Sequence, residues 1–386
     1  MLKIGDRISV LILSLYLCLM SFYLYTHRYY NADIEAYMGI VYKSNFPDMN
    51  IEEIHKKVYD ELKLKNPGTG KSDLTHKEEA KGENTYYQVL SENPKAYEEE
   101  LQLFTVKPLY NFINALFFKL GFDASTSTFL ITLISYVLMV IMVFVFLSGI
   151  IKNHYLALIL TILISLFKPL LDTSRHATPD GLSTLLLLLS LYFAAVKKNH
   201  WTATVFGILC ILTRPEYFIF YTFLLIILYI FKKDFSLKAK SILGSFLFFA
   251  LTFGTIQYFN QIPWSVFFMN QFTKVQLYPI SNPDPFSFPD YFAYVKSKLL
   301  IEFNTSYFLL LLIFIVTVLD YKLLMKKDRR SMKYVALYLA IYVTVFIRFF
   351  MFPSLVNRMM VGFYLIIILS LIAYRNSKHQ IMPKTD

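Results

Sequence analysis

The stretch 127–150 contains no charged side chain, and comparable apolar runs recur along the 386 residues at 8–26, 154–171, 179–196, 201–213, 216–231, 240–259, 305–322, 333–351 and 359–374. A helix needs about 20 apolar residues to cross a hydrocarbon layer of about 30 Å, and only helices or closed barrels satisfy their backbone there. The composition fits, with 56% hydrophobic, 18% aromatic and 17% charged residues and a mean hydropathy of +0.48. A soluble domain of this size cannot bury that much apolar surface. We therefore expect an all-α polytopic membrane protein, a bundle of about ten transmembrane helices with both termini on one side.

The charge pattern sets the orientation. Net charge is +11, yet the basic residues lie beside the apolar runs, in "IKNHY", "VKKNHW", "FKKDFSLKAK", "DYKLLMKKDRRSMK" and "YRNSKHQIMPK". Ten spans put all of these loops on the cytoplasmic face, as the positive-inside rule asks, and a nucleic-acid partner is not expected. The first run is preceded by Lys3 and Arg7, but the following "YTHRYYNADIE" is bulky and polar, so a retained span is expected rather than a cleaved signal. Residues 201–231 are long for one crossing and short for two. A single kinked helix would move the later basic loops outside, so two short helices meeting at Arg214 and Pro215 are expected, with a cavity opening outward around their junction. Cys18 and Cys210 lie inside apolar runs and read as packing residues.

Two outer segments remain, about 26–111 and 260–304. The first carries helical spacing in "NIEEIHKKVYDELK" and "NPKAYEEELQLF", two surface helices joined by a polar, turn-rich stretch. Its "PGTGKS" lacks the glycine spacing and the preceding strand of a phosphate-binding loop. The second is aromatic and proline-broken, and is expected as an interfacial loop over the cavity. The organisation is thus 1–235, a membrane module with the first outer loop at 27–108, and 236–386, C-terminal spans with the outer loop 260–304.

Ionisable residues collect at the outer helix ends: Asp33 and Glu35 in "YNADIEAYMG", Lys107, Arg175, His176, Asp180, Arg214, Glu216, Arg348 and Arg358. In "ATPDG" the expectation is that Thr178 caps a helix, Pro179 opens it and Asp180 complements its dipole, with Arg175 as counterion in the purely structural reading. "TRPE" repeats the arrangement around Arg214. A helix start beside an arginine also suits a phosphate, and a carboxylate can take a proton from an attacking group. If the first acidic stretch is helical, Asp33 shares a face with Tyr37 and Glu35 points away; if it is extended, both acids can enter one site.

The order "NADIEAY", "VKPLYNFINALFFKLGF", "SRHATPDGLSTLLLLLSLYFAAV", "LTRPEYF" resembles the GT-C class of integral-membrane glycosyltransferases, and more narrowly the bacterial dolichyl-phosphate-mannose mannosyltransferase-like group, over about 25–235, with an echo in "NRMMVGFYLIIILSLIA". The resemblance implies inverting transfer of a sugar from a polyprenyl-phosphate donor to a glycan, lipid or protein acceptor on the extracytoplasmic face of a membrane, here a bacterial inner membrane. It implies Asp33 as general base, with Glu35 as a second candidate. Arg358 matches the late arginine expected near the carrier phosphate; Arg175 and Arg214 are equal candidates for that charge. Lys107, His176, Asp180 and Glu216 complete the candidate substrate-binding set. The chain departs from the pattern in a charged insertion around 50–100 and lacks the paired acids of the metal-dependent branch, so a divalent metal is possible but not required by the motifs.

Two other functions compete. An O-antigen polymerase or ligase-like enzyme would concentrate its arginines in two late loops. A transporter would carry ionisable groups in mid-span or broken helices in matching halves; the middles of these spans are nearly free of charge, and no internal repeat is visible. The transferase reading requires Asp33 to lie within about 15 Å of at least one of Arg175, Arg214 and Arg358, the reach of one lipid phosphosugar with contacts of about 3 Å at each end.

Overall fold

The computed structural model describes residues 4–30, 32–65, 83–232, 238–270, 276–319 and 329–379. Among them there is no strand; an isolated bridge joins Tyr29 and His176. The helices are α1 (Ile4–Thr26), α2 (Ala32–Asn45), α3 (Ile51–Lys65), α4 (Glu83–Glu92), α5 (Pro94–Phe104), α6 (Pro108–Lys119), α7 (Ala124–Ile150), α8 (His154–Ser165), α9 (Lys168–Arg175), α10 (Asp180–Ala195), α11 (His200–Thr213), α12 (Tyr217–Ile230), α13 (Ala239–Asn260), α14 (Trp264–Phe268), α15 (Phe288–Thr305), α16 (Phe308–Val318), α17 (Arg329–Met351) and α18 (Asn357–His379).

Among the described residues five helices are long and apolar enough to cross a membrane: Arg7–Thr26, Ala124–Ile150, Ala239–Asn260, Met332–Met351 and Asn357–Asn376. They become seven if the bent pairs α8 with α9 (60°) and α15 with α16 (55°) each count as one span. The chain is thus an α-helical polytopic protein. The short apolar helices α10, α11 and α12 fall below the length of a full crossing, so by length alone the helices do not give the expected ten.

Both bends correct the sequence reading. The run 154–171 is not one straight span: Pro169, in the first turn of α9, has no amide to continue the ladder from α8, and Phe167 turns the chain with ψ 122. The run 305–322 is not an independent span either, because a helix already begins at Phe288 inside the segment read as a loop. Ser287 caps it, accepting from the Asp290 amide, and Pro289 lies in its first turn. Ser306 then breaks it, extended at ψ 159, with its hydroxyl donating to the Phe303 carbonyl. Phe288, Phe292 and Leu300 are exposed, as lipid-facing residues would be.

The junction of α11 and α12 at Arg214–Pro215 is as expected, with Arg214 extended at φ −145 and ψ 102. Both surface helices of the first outer segment form, as α3 and α5. The stretch 66–82, which contains "PGTGKS", lies outside the described residues. The two outer segments pack on each other: Asn93 donates to the Tyr278 hydroxyl at 3.0 Å, and Glu99 accepts from the Ile280 amide at 2.7 Å.

Between α1 and α3 the chain forms α2, which positions the site. Every residue from 34 to 41 is buried, because α3, α5, α6 and α7 surround it. Gly39 is where α2 and α5 come closest: a Cβ there would lie 2.3 Å from the Tyr97 hydroxyl and 2.7 Å from Leu101 Cδ2. That hydroxyl donates to the Glu35 carbonyl at 2.6 Å. Gly39→Ala is expected to destabilise the protein by about 1–3 kcal/mol through overpacking, read as a lower thermal midpoint in detergent. Adding Tyr97→Phe, which removes the nearest atom, should cost less than the sum of the two single changes. Strict additivity would contradict this contact.

Candidate functional site

The first turn of α2, the first residue of α10, the α11–α12 junction and the first turn of α18 meet at one place. Their charges alternate. Asp33 Oδ2 accepts from Arg358 at 2.7 Å; Arg358 Nε lies 3.8 Å from Asp180 Oδ2; Asp180 pairs with Arg214, which also pairs with Glu216. Asp180 and Arg214 are nearly sealed off, with side chains 2% and 8% exposed, whereas Asp33 and Arg358 keep 23% and 18%. The Asp33–Arg358 end is therefore solvent-reachable and the Asp180–Arg214 middle is closed, with Glu216 beyond it again partly exposed at 22%. Alternation makes this possible, since a lone charge at such depth is costly and a paired one is tolerated.

Local sequence explains each position. α2 is helical, so Asp33 and Tyr37 lie one turn apart on one face. Lys107, the residue before α6, donates to the Tyr37 hydroxyl at 2.7 Å and lies over the Phe104 ring at 4.7 Å. In the "ATPDG" turn, Pro179 rather than Thr178 caps α10; the Thr178 hydroxyl instead donates to Asp180 Oδ2 at 2.9 Å. The counterion of Asp180 is Arg214, not Arg175. The Arg358 carbonyl is fixed by the Thr173 hydroxyl at 3.1 Å, which holds α9 to the start of α18.

The other candidates are not links of the ion chain, although His176 and Arg348 lie within the field of its members. Glu35 is buried on the other side of α2, where its carboxylate accepts from the Tyr59 hydroxyl at 2.9 Å. Arg175 donates to the His27 carbonyl at 2.6 Å and stacks on the Tyr29 ring at 3.8 Å, which ties the end of α1 to α9. His176 Nδ1 bonds the Asp172 carbonyl at 2.6 Å, and its ring packs on Tyr29 at 4.7 Å. Arg348 donates to the Ser354 carbonyl at 2.7 Å.

The two acids of α2 differ electrostatically. Burial alone would raise Asp33, but the Arg358 guanidinium and the Lys107 ammonium outweigh it and hold the carboxyl below its ordinary range. Burial pushes Glu35 well up, and Tyr59 offsets only part of the rise. Lys107 is brought down to about 8, by burial first and then by the positive field of Arg214. Among the described residues no group of three or more His, Cys, Asp or Glu side chains is arranged to hold a metal ion.

Asp33, Lys107, Asp180, Arg214, Glu216 and Arg358 are thus assembled around one centre, while Glu35 faces another way and Arg175 and His176 border it. Tyr37 and Thr178 belong to the site and were not anticipated as members; the i, i+4 spacing of Tyr37 from Asp33 was the signal for the first. No protein-family model matches the chain, and neither does any curated protein or solved structure.

Arg214→Gln leaves Asp180 buried with only the more distant Arg358, so a loss of roughly 3–5 kcal/mol is expected, the cost of breaking a buried pair. In the double variant with Asp180→Asn the loss should be smaller than the sum of the singles. Additive losses in thermal unfolding would mean the two groups do not depend on each other.

Proposed function

We propose that the chain is a membrane glycosyltransferase of GT-C type that moves a sugar from a polyprenyl-phosphate carrier to an extracytoplasmic acceptor with inversion. In this reading the five long helices, the two bent pairs and the three short helices make ten crossings, with the basic loops inside and the ion chain outside. The observation that carries it is the 2.7 Å pair of Asp33 with Arg358, which joins a base candidate to a phosphate-binding candidate at the accessible end of the chain. A bacterial inner membrane is the corresponding location.

The chemistry follows from the charges. The acceptor hydroxyl attacks the anomeric carbon as its proton passes to Asp33; the bond from that carbon to the phosphate oxygen breaks, and the polyprenyl phosphate leaves with the electron pair. Arg358 and Lys107 neutralise the phosphate, with Arg214 adding its field from the closed part of the ion chain. With Arg358 beside it, Asp33 is a weak base. An arriving phosphate draws off that guanidinium and raises the basicity of the carboxylate, so the base is switched on by the donor.

The test is transfer of radiolabelled sugar from polyprenyl-phosphate donors by the full chain in membranes. Asp33→Asn, folded as judged by its thermal midpoint, should lose about 10²–10⁴-fold in rate, the usual contribution of a general base. Undiminished transfer by this variant, or no transfer by the native chain from a broad donor panel, would overturn the reading.

The pH profile is a second test. Lys107 is charged below about 8 and neutral above it, so the rate should fall as pH rises through that value, and Lys107→Arg should move the fall to higher pH. A profile unchanged by that substitution would remove Lys107 from the site.

A further inference from the structure

Both bent helix pairs break at the same place. The α8–α9 break at 166–167 and the α15–α16 break at 306–307 frame a groove of about 390 Å³, closed at one end by Asn357, the first residue of α18. Phe167 and Tyr307, one from each break, are in edge contact at 5.1 Å, and the Tyr364 ring packs on Tyr307 at 5.6 Å. Tyr364 donates its hydroxyl to Asn357 at 2.8 Å, which orients that amide. The groove also adjoins the ion chain on two sides: Asn357 precedes Arg358, and Asp172 of the lining holds His176 through its carbonyl.

Its chemistry differs from that of its neighbour. The ion chain offers cations to an anion, whereas here the one cation, Lys168, is paired within α9 to Asp172 and the lining carries no net charge. What remains is neutral and mixed: the amides of Asn304 and Asn357, the hydroxyls of Thr305 and Ser306 and the ring of Tyr307, beside the apolar Pro169 and Leu310. The Thr305 and Ser306 hydroxyls spend their protons on carbonyls one turn back, at 2.9 Å to Ile301 and 3.1 Å to Phe303, and present oxygen lone pairs to the groove. A hydrocarbon tail would find amides and hydroxyls between the apolar Pro169 and Leu310, and a phosphate would find a single cation, Lys168, already paired with Asp172 on the same helix. A pyranose has a rim of hydroxyls that both donate and accept and a C–H face that suits an aromatic ring. The volume is at the small end of the roughly 300–1,000 Å³ of ligand pockets, enough for a terminal sugar and too small for an extended chain.

We propose that this groove holds the terminal sugar of a saccharide acceptor, and so that the acceptor is a glycan rather than a bare lipid or a peptide. The assignment of this sugar as an acceptor rests on the transferase reading; the binding of a sugar here does not.

The experiment uses the full chain in lipid nanodiscs, free of sugar-headed detergent, with methyl glycosides of common hexoses as probes and saturation-transfer NMR as the readout. At least one glycoside should receive saturation, and Asn304→Trp, which fills the groove from an exposed helix end, should weaken its apparent affinity at least about tenfold, a difference of about 1.4 kcal/mol. Glycoside binding is read without any transfer, so failure of the transferase reading and failure of this one are separable. Inorganic phosphate should not compete. If no glycoside binds the native chain, if Asn304→Trp binds as well as the native chain, or if phosphate displaces the glycoside, the proposal is wrong; Asn357→Ala is the second variant should Asn304→Trp not fold.

Discussion

The pair of Asp33 with Arg358 is the contact on which the arrangement depends, because it ties the first helix outside α1 to the last helix of the chain. α2 is enclosed by α3, α5, α6 and α7, and this ion pair connects it to the late helices. From there the charges continue inward through Asp180 to Arg214 and Glu216, each sign beside the other. Removing Arg214 leaves Asp180 buried with only the more distant Arg358 as a cation. The same alternation that makes the interior tolerable leaves the accessible end poised, since a new anion at Arg358 changes what Asp33 experiences.

Much of this was legible in the sequence, and the exceptions have physical causes. Long apolar runs announced the membrane helices, and the Arg214–Pro215 junction was readable because proline and a charge interrupt an apolar stretch. α2 was not anticipated as a buried helix, because a helix packed on all sides has no polar face and therefore no periodicity to detect. The break at Ser306 was hidden for a related reason: "FNTSYF" contains neither proline nor glycine, and a single extended serine suffices. The start of α15 was legible, by contrast, since serine followed by proline and an acid is a helix opening; the aromatic residues around it suggested an irregular loop instead.

The site shows the same division. Helical geometry alone separates Asp33 from Glu35, and the structure has the helical alternative, with Glu35 facing Tyr59. What sequence could not give was the choice among three arginines. Arg175 is occupied by the His27 carbonyl and the Tyr29 ring, Arg214 lies in the closed middle of the ion chain, and Arg358 faces Asp33; that ranking depends on contacts between residues far apart in the chain. The groove between the two bends was equally invisible, because three of its lining residues come from α9, one from α18 and the other five from around the break that the sequence did not reveal.

The most direct test of the central claim, that Arg358 offers its charge to a lipid phosphate, is the affinity of the full chain in nanodiscs for a short-chain prenyl phosphate against the corresponding prenyl alcohol. The account predicts that the phosphate binds at least about tenfold more tightly, by about 1.4 kcal/mol or more, and that the advantage falls sharply in Arg358→Gln while the alcohol is unaffected. Equal affinity for phosphate and alcohol, or an advantage that survives Arg358→Gln, would contradict it.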